Sequence, residues 1–298
     1  MFKIFNNSIE KSGNNTTLTR LSNLLDLEES SEIQNKMIGI HAYKFGKMIS
    51  NRDLIYILII GGTDINIDVY DTKKRSIIID TILKSKYVVC FSNYIKQEIE
   101  NLVSIDKQKI RVIAQSITFI KPENFNLKSY IKRKYSINNI NKIYLVVGNI
   151  RKVKGCNFLD EIANILFEKD IFILFIGKVI EKETKVKAPY LFSDDLTQKQ
   201  IFACYEQADG LINISESEGM ASAILEAMIY KCPVYVRHNK GNLSIIEDNQ
   251  NGFVFKTPKD FLEKIKLDNV KIIENAYRYV LEYHNPKEEK EKYLELIL

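Results

Sequence analysis

No apolar run in this 298-residue chain approaches the ~18–20 residues of a membrane-spanning helix, and the stretch Leu54 to Ile60 has only seven. The amino terminus, MFKIFNN, carries too short an apolar part for a secretory signal and reads as a first strand. Cysteine is sparse. Cys90, Cys156, Cys204 and Cys232 are scattered without a C-x-x-C pair, which argues against a zinc site or a disulfide framework and predicts free thiols in a reducing, cytoplasmic compartment. An excess of one charge is also missing: 43 Lys+Arg against 38 Asp+Glu leave +5, spread along the chain, so a nucleic-acid partner is not expected. The one local basic cluster, Lys128, Lys132, Arg133 and Lys134, reads as a solvated helix face. Without the apolar face of an interfacial helix it weighs against membrane association, though it does not eliminate it.

Metal motifs are lacking too. Asp64-x-Asn66-x-Asp68 begins like a calcium loop, but Val69 replaces the required glycine and Arg75 stands in place of the last acid. No D-x-D follows a strand in the second half. Repeats and low-complexity segments are absent beyond a general Ile, Lys and Asn bias, and such a bias generates Asn-x-Ser/Thr triplets by chance.

What is present is a soluble α/β rhythm. At 45% hydrophobic and 27% charged the chain can bury two modest cores. Short apolar runs alternate with helical patterns, as in parallel sheets covered by helices. Strands are expected at Phe2 to Phe5, Met37 to Ile40, Leu54 to Ile60, Tyr87 to Phe91 and Ile110 to Ala114. A second set follows at Ile143 to Val147, Phe172 to Ile176, Tyr190 to Phe192, Gly210 to Ile214, Pro233 to Arg237 and Phe253 to Phe255. The reading is two Rossmann-like, doubly wound domains, 1–118 and 140–269, joined by a polar, Pro122-containing linker at 119–139. The tail, 270–298, reads as two helices split at His284-Asn285-Pro286. Between Leu27 and Met37 there is room only for a loop, so the first domain is abbreviated.

The most informative segment is Ile214 to Tyr230, ISESEGMASAILEAMIY. It places Glu226 in a helical run that is apolar nearly all round, where a carboxylate needs either a neighbouring base or a bound hydroxyl. If the helix starts near Gly219, Glu226 lies about 7 Å along it from Glu218. Two acids so spaced suit two polyols, with an anion between them on the helix N-terminus. An ordinary alternative stands beside this: Ser215 to Glu218 spells a capping box, and Glu226 then pairs with a lysine. A second loop, Gly148 to Gly155 (GNIRKVKG), joins a glycine turn to Arg151, Lys152 and Lys154 before a helix expected from about Cys156, a combination suited to a diphosphate.

The block from Ser215 to Phe253, with E-x7-E at Glu218 and Glu226, Pro233-Val234 and Asn251-Gly252-Phe253, resembles the donor site of retaining glycosyltransferases of family 4, which have the GT-B fold. The resemblance takes in Gly148 to Gly155 and Ala208-Asp209. Through Arg237 to Asn242 (RHNKGN), Gly61 to Asn66 (GGTDIN) and Gly13-Asn14 followed by Thr17 and Arg20, the chain also resembles the subgroup called glycosyltransferase 1 domain-containing proteins. It implies two domains facing a cleft, with the last helix returning to the first domain.

The resemblance further implies a nucleotide-diphosphate sugar donor, a small-molecule or glycan acceptor, no cofactor, no metal, and retention by front-face attack steered by the diphosphate. Glu226 would take the ribose diol and Glu218 the sugar hydroxyls, so neither is a glycosidase-type nucleophile. Lys154 matches the family's lysine. The arginine usual after the first glycine is Asn149 here, and its role passes to Arg151. Gly148, Asn149, Gly219, Met220, Ala221 and Ser222 would offer backbone to the donor, with Gly13 and Asn14 approaching the phosphates from the first domain. His41, at a strand end, is either a catalytic group or a helix cap. Thr63, Asp64 and Asn66 would face the acceptor or the transferred sugar.

Two rival functions share this fold: a sugar-nucleotide-binding subunit that has lost transfer, motivated by the trimmed first domain, and a sugar-nucleotide epimerase, for which no residue speaks. The trimmed domain also leaves room for a protein partner that completes the site.

Overall fold

The structure, a computed structural model, describes residues 2–6, 13–50, 52–181 and 189–298, the side chains of residues 13–15 excepted. It divides into two compact units. One comprises Met1–Ser116, Glu218–Met220 and Asn285–Leu298, the other Ile117–Ser217 and Ala221–His284.

The first unit is built on β1 (Lys3–Phe5), β2 (Glu29–Ser30), β3 (Lys36–Ile40), β4 (Ile55–Ile59), β5 (Tyr87–Cys90) and β6 (Ile110–Val112). They form one parallel sheet in the order β2-β1-β3-β4-β5-β6. Sequences such as IYILI suit a strand buried on both faces, and the period of two divides them between two cores. Tyr56 and Leu58 pack with Phe45, Ile78 and Ile95 on one face. Ile57 and Ile59 pack with Leu21, Tyr293 and Leu296 on the other. β2 corrects the expectation of a bare loop between Leu27 and Met37: Glu29 and Ser30 pair with Ile4 and Phe5 of β1. A two-residue polar edge strand leaves no hydrophobic pattern, so periodicity could not reveal it.

The last helix, Pro286–Ile297, belongs to this unit. It is held to the helix Gly13–Leu25 by an ion pair in which the half-buried Arg20 grips both oxygens of the buried Glu289. The Ser116 amide adds a third bond to that carboxylate at 2.9 Å.

The second unit contains β7 (Lys142–Val147), β8 (Ile171–Ile176), β9 (Leu191–Ser193), β10 (Gly210–Asn213), β11 (Val234–Arg237) and β12 (Phe253–Phe255). Their order is β12-β11-β10-β7-β8-β9, again parallel throughout. Its core centres on edge-to-face and stacked rings, Tyr144, Tyr235, Phe253 and Phe261 among them. Within the 119–139 stretch lies a helix, Leu127–Tyr135, that buries Leu127, Tyr130 and Ile131 and exposes Lys128, Lys132 and Arg133. Tyr130 bonds Ser193 and Asp195, each at 2.8 Å, fixing this helix to the end of β9.

All four cysteines are buried and free. Burial pushes the Cys90 and Cys204 thiols up to about 12, which keeps them in the unreactive thiol form at neutral pH. Among the described residues no helix is long and apolar enough to cross a membrane.

Candidate active site

In the second unit the chain leaves β7 toward β8 and leaves β10 toward β11, on opposite sides of the sheet. The loops after these two neighbouring strands therefore flank the topological switch point, where open parallel sheets bind ligands.

After β7, Gly148 donates to Ile176 and Ile150 to Lys178, which anchors the loop on β8. Lys152–Lys154 then forms a single 3-10 turn, closed by Gly155 at φ 60°. Lys154 folds back over Gly148, its Nζ 3.9 Å from where a Cβ on that glycine would stand. Arg151 begins the turn, and its Nε is buried without a hydrogen-bond partner among the described residues. Gly148, Asn149 and Lys154 line a small cavity with Asn213, Ile214 and Ser215. The expected helix from Cys156 starts instead at Asp160, with Asp160 and Glu161 in its first turn. Those two acids already occupy the positive end of the dipole, so the positive charge at this loop comes from its cations and not from that helix.

After β10 comes Ile214 to Ala221, and the helix is Ser222–Ile229, with Ala221 at its cap and no side-chain cap bond. This corrects two expectations. Ser215 and Glu218 form no capping box on this helix, and of Gly219, Met220, Ala221 and Ser222 only Ser222 is helical. Glu218 lies outside the helix, so the 7 Å spacing no longer follows, while Glu226 sits about 6 Å in from Ser222.

Glu226 is partly exposed. Its partners among the described residues are not basic: the Tyr205 hydroxyl donates to Oε2 at 3.0 Å and the Gln198 amide reaches Oε1 at 3.5 Å. Both come from the helix Gln198–Gln207. Burial raises the Glu226 carboxyl to about 7, against the opposing pull of the Tyr205 hydrogen bond. Burial, and after it the same carboxylate, drive the Tyr205 phenol well above its ordinary value.

Glu218–Met220 counts with the first unit. Asn66 donates to the Glu218 carbonyl at 3.0 Å and accepts from the Tyr94 hydroxyl at 2.7 Å. Gly62 lies so close to Gly219 that a Cβ on it would meet the Gly219 nitrogen at 2.5 Å. Two groups of residues anticipated separately, Glu218-Gly219 and the Gly61–Asn66 motif, are thus brought together.

The remaining first-unit residues are engaged locally. His41, at φ 74° and 2% exposed, caps the helix Ala42–Ile49: Nδ1 accepts from Lys44 at 3.4 Å. An accepting Nδ1 leaves the proton on Nε2, which faces Asp68 at 3.5 Å. Of its two expected roles, the structure gives His41 the cap. Asp64 is fully buried, accepting from Ala42 at 2.9 Å, Gly61 at 3.1 Å and Ile65 at 3.2 Å. Its carboxylate braces two strand-end loops and does not face an acceptor, a correction to the sequence reading; burial, the largest influence, raises its pKa. Thr63, partly exposed, lies in the short helix Gly62–Asn66. Gly13 and Asn14 open the helix Gly13–Leu25, next to residues 7–12, which are outside the described residues.

Sequence reasoning gave no role to Tyr205, Gln198, Asn213, Arg237, Asn239 or Asn242. The last three stand in the RHNKGN motif, which was a usable signal. Tyr205 and Gln198 had none, because their importance comes from a helix packed alongside.

The model of the family "Glycosyl transferases group 1" matches residues 128–277, half of the chain. Glycosyltransferase 1 domain-containing protein 1 of Xenopus tropicalis is 27% identical over 96% of this chain and 94% of its own. The solved structure of Anabaena HepE in complex with UDP-glucose superposes with a TM-score of 0.77 at 11% identity, over 99% of this chain and 98% of that one. A Staphylococcus aureus TarM variant in complex with fondaparinux, α-GlcNAc-glycerol and UDP gives 0.68 at 20% identity, over 89% of this chain. This chain spans 56% of that TarM chain's length. At such identities the structural likenesses establish the fold alone, two Rossmann-like units of the GT-B class. The match over residues 128–277, which takes in the switch-point loops of β7 and β10, carries the assignment: the chain belongs to the glycosyl transferases group 1 family.

Proposed function

We propose that this protein is a retaining glycosyltransferase that takes a sugar from a nucleoside diphosphate donor of the UDP class and passes it to a small-molecule or glycan acceptor. The observation that carries the reading is the pairing, at one switch point, of the Arg151–Lys154 turn after β7 with the Glu226 helix after β10. Arg151 and Lys154 stabilise charge that builds on the diphosphate as the glycosidic bond breaks, and the reading calls on no divalent cation. Glu226, held by Tyr205, accepts hydrogen bonds from the ribose diol. Glu218 addresses the sugar, with Gly219 to Ser222 supplying backbone amides. UDP is the first base to test because it is present in the HepE and TarM complexes. Front-face attack, directed by the leaving diphosphate, accounts for retention without a protein nucleophile.

A second reading, a chain that binds the sugar nucleotide without transferring it, draws support from His41 and Asp64, whose polar atoms are taken up within the first unit. One experiment separates them. UDP binding is measured by calorimetry for wild type and Glu226→Ala, and UDP-sugars are then offered with an acceptor panel while the anomer of any product is read by NMR. Transfer with retention supports the first reading, and binding without release of sugar supports the second. Unchanged donor turnover in Glu226→Ala defeats the proposal.

A further inference from the structure

Arg237 to Asn242, RHNKGN, runs from the end of β11 into the four-residue helix Lys240–Leu243, beside the end of β10. We propose that Arg237, Asn239 and Asn242 are positioning residues that fix the Ile214–Ser217 turn against the Gly148–Gly155 turn, presetting the frame that a nucleoside diphosphate enters. The proposal rests on the donor-site reading above.

Asn239 works at both ends of its side chain. Its oxygen caps the short helix by accepting from the Asn242 amide at 2.8 Å, and its Nδ2 donates to the Ser215 carbonyl at 2.9 Å. Capping needs only the oxygen, which serine or aspartate supplies equally well. The second bond needs an amide.

Asn242 is fully buried. Its Nδ2 donates to the Arg237 carbonyl at 2.8 Å and reaches Asn213 Oδ1 at 3.4 Å, and that same Asn213 oxygen accepts the Ser215 amide at 3.1 Å. Its own Oδ1 has no partner among the described residues. An unmet buried acceptor costs stability, so an apolar residue would serve a purely structural core position better. The two bonds from Nδ2, which orient Asn213 and through it Ser215, account for an amide here.

Arg237 completes the brace from below. Its guanidinium stacks on Phe158 at 4.0 Å from the ring centre and points Nη1 toward the Ile214 carbonyl at 3.5 Å. Gly155 packs against the same carbonyl, beside the guanidinium. At its φ of +60° a side chain is strained, and a Cβ would stand 2.5 Å from the Ile214 oxygen and 3.2 Å from Arg237 Nη1. Glu216 donates to the Val153 carbonyl at 2.9 Å, so the two turns are also tied backbone to backbone. Carbonyls 214 and 215 are thereby held by side chains from one loop, while the turn bearing Arg151 and Lys154 is pressed against them. A transition state rewards such fixed geometry, since small misplacements of binding groups cost rate.

The test uses the full chain with Asn239→Ser and Asn239→Asp, which keep the cap and lose the amide, and Asn239→Ala, which loses both. Hydrogen–deuterium exchange is followed without ligand over 148–155, 214–217 and 239–246, with Tm alongside and UDP as the binding probe. The serine and aspartate variants are expected to exchange several-fold faster at 148–155 and 214–217, with Tm within about 3 °C of wild type. Their UDP dissociation constants should rise roughly five- to tenfold, the equivalent of one lost hydrogen bond. Wild-type exchange at both turns in the serine and aspartate variants, with change confined to 239–246 in the alanine variant, would reduce Asn239 to a cap and overturn the proposal. Wild type that ignores UDP, GDP, ADP and TDP would defeat the donor reading instead, and the ligand-free exchange still decides whether the brace exists.

Discussion

Tyr205 donates its hydroxyl to Glu226 Oε2 at 3.0 Å across two packed helices. That bond favours the ionised carboxylate, while burial favours the protonated form and prevails, leaving the group at about 7. On the proposed donor reading the ribose diol donates to the carboxylate, so UDP affinity should strengthen as pH rises, by about tenfold between pH 6 and 8 beyond the titration of the phosphate itself. Glu226→Gln removes this component. Tyr205→Phe moves the inflection upward by about one to two units, because a hydrogen bond to a charged group is worth about 1.5–3 kcal/mol. Calorimetric titrations at five pH values would check all three outcomes.

The same carboxyl makes a stability prediction. Its folded pKa is above the ordinary 4.5, so the folded state holds a proton that the unfolded state releases between pH 4.5 and about 7. Its contribution therefore falls as pH rises through that window and is fully lost above it. Glu226→Gln should gain Tm relative to wild type at pH 8 and little at pH 4.5, read by differential scanning fluorimetry.

Asp64 answers three backbone amides from a fully buried position. Asp64→Ala should destabilise by about 2–4 kcal/mol, since several donors lose their acceptor at once. Asp64→Asn, which keeps one carbonyl oxygen, should lose less. Urea midpoints at constant m-value give the comparison.

The Arg20–Glu289 pair yields a test with opposite signs. Glu289→Ala leaves the half-buried Arg20 guanidinium and the Ser116 amide without their acceptor and should cost about 2–3 kcal/mol, whereas a joint Arg20→Met, Glu289→Leu replacement should recover most of that loss. Chemical unfolding of the single and double variants reports it.

Gly62 leaves no space for a side chain beside Gly219. On the proposed donor reading, Gly62→Ala should displace the Glu218–Met220 segment and lower sugar transfer by an order of magnitude or more, while UDP affinity, which that reading assigns to the second unit, changes less than threefold. Parallel binding and turnover assays would expose the split.

Much of the fold was legible because burial and period are local properties of the chain. Runs such as IYILI and IFILFI can be little other than strands covered on both faces, and both emerge as β4 and β8. Pro286 and Asn285 mark the break between the last two helices for equally local reasons, a cap residue followed by a ring that cannot continue the preceding turn. β2 escaped because two polar residues at a sheet edge take their conformation from β1 and not from their own pattern. The helix after β10 began three residues later than its composition implied, since Gly219 and Met220 are held among first-unit residues and Ala221 becomes the cap.

By itself, then, the sequence determined that Glu226 would sit in an apolar helix needing a partner, that Arg151 and Lys154 would crowd one glycine turn, and that these would stand at strand ends. It could not say that Tyr205 would be the partner, that Asp64 would turn inward to backbone amides, or that His41 would cap a helix. Those outcomes depend on which distant elements come to lie side by side. A hydrogen bond is directional and reaches about 3 Å, so its maker is chosen by packing, whereas the need for one is already written in the polarity of the residue and its neighbours.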